Sequence, residues 1–142
     1  MGTPQRTDRL VAGDELDPFT FQVTEEFNEN FLHAVEDLHL RYVTGEDGAP
    51  PIIHAGLLFN FSNLTRSPSF SLPAGVAAIH THEEATCYEP APVGSTITVS
   101  WKILDTYSKR ERQYQVVEAL ITTETGAQVL RRVSTNIYMG RE

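Results

Sequence analysis

The chain is poor in three things: cysteine, basic charge and long apolar runs. Cys87 is its single cysteine. One thiol closes no internal disulfide and builds no zinc site of several thiolates, and it fits a reducing compartment. Lys and Arg number 11 against 19 Asp and Glu, a formal net charge of −8. A chain of that sign repels phosphate backbones and anionic surfaces, so neither nucleic acid nor a membrane is expected as a partner. Nowhere do eighteen apolar residues follow one another, and the opening MGTPQRTDRLVAG has no apolar run of signal-peptide length. A soluble, cytoplasmic protein is the expectation.

What is present suffices for one packed domain: 142 residues, 40% of them apolar. Residues 1–17 read as a polar lead-in and residues 18–142 as a single domain. The few basic residues gather in two places, Lys109, Arg110 and Arg112, and Arg131 with Arg132. Such groups are either solvated turn and strand faces or local patches that receive a small phosphorylated ligand.

PFTFQV, residues 18–23, alternates as a short strand does. Thr24 follows as a helix N-cap, with Glu25 and Glu26 at the positive end of the helix dipole. Phe27, Phe31, Ala34, Val35, Leu38 and Tyr42 then recur at three- and four-residue spacing, which predicts one helix with a buried stripe, ending by Gly45. Pro50 and Pro51 forbid a helix interior, so a second helix starts after them. IIHAGLLFNFSNL, residues 52–64, is apolar on nearly every face and reads as a centrally buried helix. Four strands follow, over 75–88, 96–104, 113–124 and 127–139. In the second, Ile97, Val99, Trp101 and Ile103 alternate with Thr96, Thr98, Ser100 and Lys102, so one sheet face is buried. Thr125 and Gly126 join the last two strands as an antiparallel hairpin. A strand, a helix, a buried apolar helix and four long antiparallel strands describe an α+β hot-dog fold. In it a long antiparallel sheet wraps around a central buried helix, and two copies pair to hide sheet edges.

From about residue 18 onward the chain resembles the MaoC-like hydratase/dehydratase branch of the hot-dog superfamily. EDLHLRY, 36–42, stands where that family ends a helix with a stretch of the type G-D-x-N-P-[LIV]-H. Ile53-His54-Ala55-Gly56-Leu57-Leu58 matches the His and Gly that open the family's central helix. His80 through Pro90-Ala91-Pro92-Val93-Gly94-Ser95 follows the pattern of the next strand, and Tyr107-Ser108-Lys109-Arg110 that of the link before the last hairpin. The resemblance implies addition of water to, or its removal from, an acyl thioester carried on coenzyme A or an acyl carrier protein. No cofactor is implied. It also implies an Asp and a His five places later that hold and activate the water. Asp37 stands at the first position. Tyr42 stands at the second, and His39 where the family has Asn.

The proton partner of Asp37 is therefore either His39 or His54, at the mouth of the central helix. The backbone N–H of Gly56 belongs to the unpaired donors of that helix's first turn, suited to a thioester carbonyl. Tyr42 either enters the site or packs along the apolar stripe. His80 and His82 fall on one strand face by alternation. A metal reading of HTHEE lacks the further ligands it needs, and His80 is assigned a cross-strand or substrate-tunnel role. Arg110 is the candidate contact for carrier phosphates at the tunnel mouth. Loss of the motif histidine leaves open a non-catalytic subunit that pairs with a catalytic paralogue, giving a heterodimer rather than a homodimer. It also leaves open a thioesterase or cyclase on the same fold.

Overall fold

The structure, a computed structural model, describes residues 3–140. The first two residues of the expected lead-in and the last two of the expected domain lie outside them. In chain order the elements are β1 (Gln5–Arg6), a 3-10 turn (Thr7–Arg9), β2 (Glu15–Gln22), α1 (Glu25–Val35), α2 (Leu40–Val43) and α3 (Ala55–Phe61). A second 3-10 turn (Leu64–Arg66) follows, then β3 (Phe70–Ser71), β4 (Val76–Cys87), β5 (Thr96–Lys109), β6 (Arg112–Thr123) and β7 (Gln128–Gly140). Five strands form one antiparallel sheet in the order β2-β5-β6-β7-β4. β1 and β3 make a small parallel pair.

The alternation in β5 has the predicted consequence: Ile97, Val99 and Ile103 are fully buried and Trp101 nearly so. They form one core with Leu57, Leu58 and Phe61 of α3 and with Val117, Ala119 and Ile121 of β6. The indole of Trp101 donates to the Ser62 carbonyl (3.0 Å), which fixes the C-terminal end of α3 over the sheet. This is the expected α+β hot-dog architecture. β5 runs five residues past its expected end, because a register shift between Ile103 and Asp105 lets pairing continue.

Several expectations need correction. The helix predicted to run to Gly45 stops at Val35, where Glu36 takes a left-handed conformation (φ 56°), and α2 is a separate single turn. The buried positions of α1 are Asn28 and Leu32, while Val35 and Leu38 are 46% and 55% exposed. Spacing alone placed the stripe one column away, because the core wall, and not α1, selects the face that packs. The link between β6 and β7 spans residues 124–127, closed by Thr123 N–H donating to the Ala127 carbonyl. Residues 5–17 are built into the fold, since Gln115 Nε2 donates to the carbonyls of Thr7 (2.8 Å) and Leu10 (3.1 Å). Arg131 and Arg132 make no phosphate patch. Arg131 pairs with Glu118, and Arg132 is buried against Glu83 and the end of α3.

Candidate active site

The break after α1 brings the two sequence stretches together. With Glu36 left-handed, the chain turns at Asp37, whose Oδ1 accepts the backbone N–H of His39 (3.3 Å). His39 Nδ1 in turn accepts the N–H of Arg41 (3.2 Å), capping α2. The single turn of α2 carries Tyr42 inward. Its position is held by Asn28, only 2% exposed, which donates from Nδ2 to the Tyr42 carbonyl (3.1 Å), and by Ile52 N–H donating to the Arg41 carbonyl (2.9 Å).

His54 caps α3 in the same manner, with Nδ1 accepting the N–H of Gly56 at 2.9 Å. That acceptor role leaves the ring proton on Nε2, which faces Asp37 Oδ2 at 3.0 Å. The ring lies against two aromatic rings tilted to it, Tyr42 4.7 Å away and Phe31 5.4 Å away between centroids. Gly56 belongs to this arrangement through its lack of a side chain, because a Cβ there would stand 3.0 Å from His54 Nδ1 and 3.2 Å from the Phe31 ring.

The Asp37 carboxyl is held below its ordinary value, chiefly by the His54 hydrogen bond and further by the His39 N–H, against an opposing effect of partial desolvation. Asp37 is thus ionised and weakly basic at rest. Beside the pair, Tyr42, Ile53, Ala55, Leu58, Val129 and Leu130 line an apolar cavity of about 240 Å³. The arrangement joins a fixed carboxylate, a histidine that steers it, a helix N-terminus and an apolar slot, the components that proton transfer beside an acyl group requires.

Of the residues singled out in the sequence, Asp37, His54, Tyr42 and Gly56 meet here, and His39 stands at the edge, its ring 6.3 Å from that of Tyr42. The Gly56 N–H is already engaged by His54. His80 lies elsewhere, lining a 280 Å³ cavity near the C-terminal end of α3 with Trp101, Arg132, Ser134 and Asn136. His82 does not share its face. The register shifts between His80 and His82, pairing His80 with Asn136, His82 with Thr135 and Glu83 with Ser134, so the bulge at Thr81 sends His82 to the opposite side. Arg110 is at the tip of the β5–β6 hairpin, whereas α3 begins beside residues 91–93, just ahead of the other end of β5. Among the described residues no three His, Cys, Asp or Glu converge as metal ligands would. No helix of the described residues is long and apolar enough to cross a membrane.

Asn28 and Phe31 went unnoticed in the sequence as site residues. Asn28 had one available signal, a polar residue in an otherwise apolar column of α1. Phe31 had none beyond its place in the stripe.

No family model matches the chain, and no curated protein does. Solved structures do, and they define a fold class first, the hot-dog fold. Within it, a MaoC-like dehydratase from Rhodospirillum rubrum superposes with a TM-score of 0.77 at 15% identity, over 97% of this chain and 99% of that one. An R-hydratase from Pseudomonas aeruginosa gives 0.73 at 15%, over 94% and 87%. A 3R-hydroxyacyl-ACP dehydratase complex from Mycobacterium tuberculosis gives 0.68 at 15%, over 92% and 98%. The chain has the hot-dog fold in the form seen in MaoC-like dehydratases and R-hydratases.

Proposed function

We propose that the protein is a hydratase/dehydratase of a 2-enoyl or 3-hydroxyacyl thioester, carried on coenzyme A or an acyl carrier protein. The observation that carries this reading is the 3.0 Å contact of Asp37 Oδ2 with His54 Nε2 at the start of α3. In hydration, a water held by Asp37 gives a proton to the carboxylate as its oxygen bonds to C3. The C2=C3 electron pair moves toward the thioester carbonyl, and the protonated Asp37 returns a proton to C2. A resting carboxylate held low is a weak base. Closure of the acyl thioester over it removes water and raises its proton affinity. His54 aims the carboxylate, and Tyr42 fixes the His54 ring. The developing oxyanion takes the Gly56 N–H in exchange for His54 Nδ1. The acyl chain occupies the 240 Å³ slot. Two copies pair through the exposed edge strand β4.

The test is hydration of short and long trans-2-enoyl-CoA by the purified protein, with Asp37→Asn and His54→Ala. Turnover that vanishes with Asp37→Asn supports the reading. Absence of turnover in the wild type removes it.

Tyr42, at the place of the family's histidine, favours a second reading, a hot-dog subunit that serves a catalytic paralogue. Insolubility of the chain until a second hot-dog protein is co-expressed, and inactivity alone, would move the assignment there.

A further inference from the structure

Asn28 stands behind the Asp37–His54 pair and is hydrogen-bonded to neither residue. With Leu32, one turn further on, it makes up the buried face of α1, a place where an apolar side chain is the ordinary choice. Its amide is only half used. Nδ2 donates to the Tyr42 carbonyl, while the buried Oδ1 has no partner among the described residues. For stability alone this is a poor arrangement. One net hydrogen bond contributes little against the cost of an acceptor withdrawn from water and left unpaired, and a leucine, branched at the same carbon, carries no such cost. A residue that departs from the local rule without a gain in packing points to a requirement of position.

That requirement is the placement of α2. A single turn, Leu40–Val43, does not hold itself. Leu40, Arg41 and Val43 are exposed, and Tyr42 alone is half-buried. Few apolar contacts therefore fix the turn, and its carbonyls must do so. That of Leu40 accepts the N–H of Gly45 (2.9 Å), that of Arg41 accepts the N–H of Ile52, and that of Tyr42 is taken by Asn28. Among the described residues, Asn28 makes the one side-chain hydrogen bond that ties α2 to α1.

The same helix carries Phe31, three residues after Asn28. The two rings that lie against His54 are thus both referred to α1, Phe31 by its own backbone and Tyr42 by the Asn28 bond. The Gly56 N–H fixes only Nδ1 of His54. Tilt of the imidazole about that nitrogen, and with it the aim of Nε2 at Asp37 Oδ2, is left to the two rings.

We infer that Asn28 is a positioning residue of the proposed reaction, holding through the Tyr42 carbonyl the ring that keeps His54 directed at Asp37. This rests on the hydratase reading for the reaction it serves, and on the hydrogen bonds alone for the geometry. Asn28 reaches no substrate and exchanges no proton. Its effect on turnover passes through α2 to Tyr42, from Tyr42 to His54, and from His54 to the carboxylate.

Asn28→Leu is the test, because a merely structural asparagine and a positioning one give opposite results in it. The orphaned Oδ1 disappears and the buried space stays filled, so the melting temperature is expected to change little. Hydration of crotonyl-CoA is expected to lose about tenfold in kcat with KM nearly unchanged, since the misdirected group acts in the chemical step. A second readout needs no activity. The Asp37 carboxyl is held below its ordinary 3.8 chiefly by the His54 hydrogen bond, so its midpoint in an NMR titration should rise in Asn28→Leu as that bond loosens. In a Tyr42→Ala background the ring is already gone, and adding Asn28→Leu should then change neither kcat nor the midpoint.

An Asn28→Leu variant with the wild-type midpoint and kcat overturns the proposal. So does one whose effect is equally large in the Tyr42→Ala background, which would mean that Asn28 acts by another route. Asn28→Ala, which crowds nothing, takes its place in both measurements if the leucine does not fit. A wild type that hydrates no enoyl thioester, while its Asp37 midpoint still shifts in Asn28→Leu, would remove the hydratase reading and leave the positioning of the pair standing.

Discussion

At its N-terminal end α3 is finished by His54 and Asp37, and at its C-terminal end by Arg132 and Glu83. The first is a histidine–carboxylate hydrogen bond and the second an ion pair, and they differ in exposure and in the number of partners. The His54 and Asp37 side chains are 19% and 41% exposed, and the ring nitrogens have one partner each. The Arg132 side chain is 7% exposed and donates to Glu83, the Phe59 carbonyl, Ser62 Oγ and Asn63 Oδ1. A half-open pair exchanges a bond for water or ligand at little cost. A buried guanidinium with four partners exchanges nothing, since any loss leaves a charge without compensation in a medium of low polarity. The proposed chemistry accordingly falls at the half-open end, and the buried end anchors the helix.

Asp37→Asn should separate them most sharply. It removes the proton acceptor and is expected to lower kcat by about 10²–10⁴, the range of general acid–base contributions, while the melting temperature hardly moves. Arg132→Met should do the reverse. Removing one partner of a buried pair costs about 3 kcal/mol, seen as a fall of roughly 8–10 °C in calorimetry, with kcat of the folded fraction kept. A loss of activity in Arg132→Met that exceeds its loss of folded protein would break the division.

Smaller effects sharpen it. Asn28→Ala deprives the Tyr42 carbonyl of its donor and is expected to cost about 1 kcal/mol in denaturant unfolding, partly offset because the buried Asn28 Oδ1 has no partner of its own. Asp37 has a carboxyl held below its ordinary 3.8, so its charged form stabilises the fold above that pH and the contribution is lost as pH falls through the lowered value. In His54→Ala the largest cause is gone, and an NMR titration of Asp37 should show its midpoint rise toward 3.8. Tyr42→Phe keeps the ring against His54 and should leave turnover nearly unchanged. A large fall would place the Tyr42 hydroxyl in the proton path.

Much of this was legible in advance, and the limits are instructive. Alternation in residues 96–103 and the apolar density of 52–64 identified the sheet face and the central helix, because burial on one face leaves a periodic trace. EDLHLRY and PPIIHAG were expected to meet, and they do, through Asp37 and His54. The one-helix reading of 24–45 failed because Glu36 adopts a left-handed conformation that its residue type does not announce. His80 and His82 parted because a bulge adds one residue to a strand without any composition signal, and one residue reverses every side chain beyond it.

The amino-acid order by itself pointed to the five strands of the large sheet and to the apolar helix packed against it. Those are local matters of periodicity, capping and proline. The tertiary fold alone decided that Gly56 N–H is spent on His54, that Arg132 is an anchor, and that the basic turn stands a full strand away from its own site. Each of these depends on contacts between residues far apart in the chain, or on counting strand lengths and bulges across a completed sheet, and no local pattern records such sums.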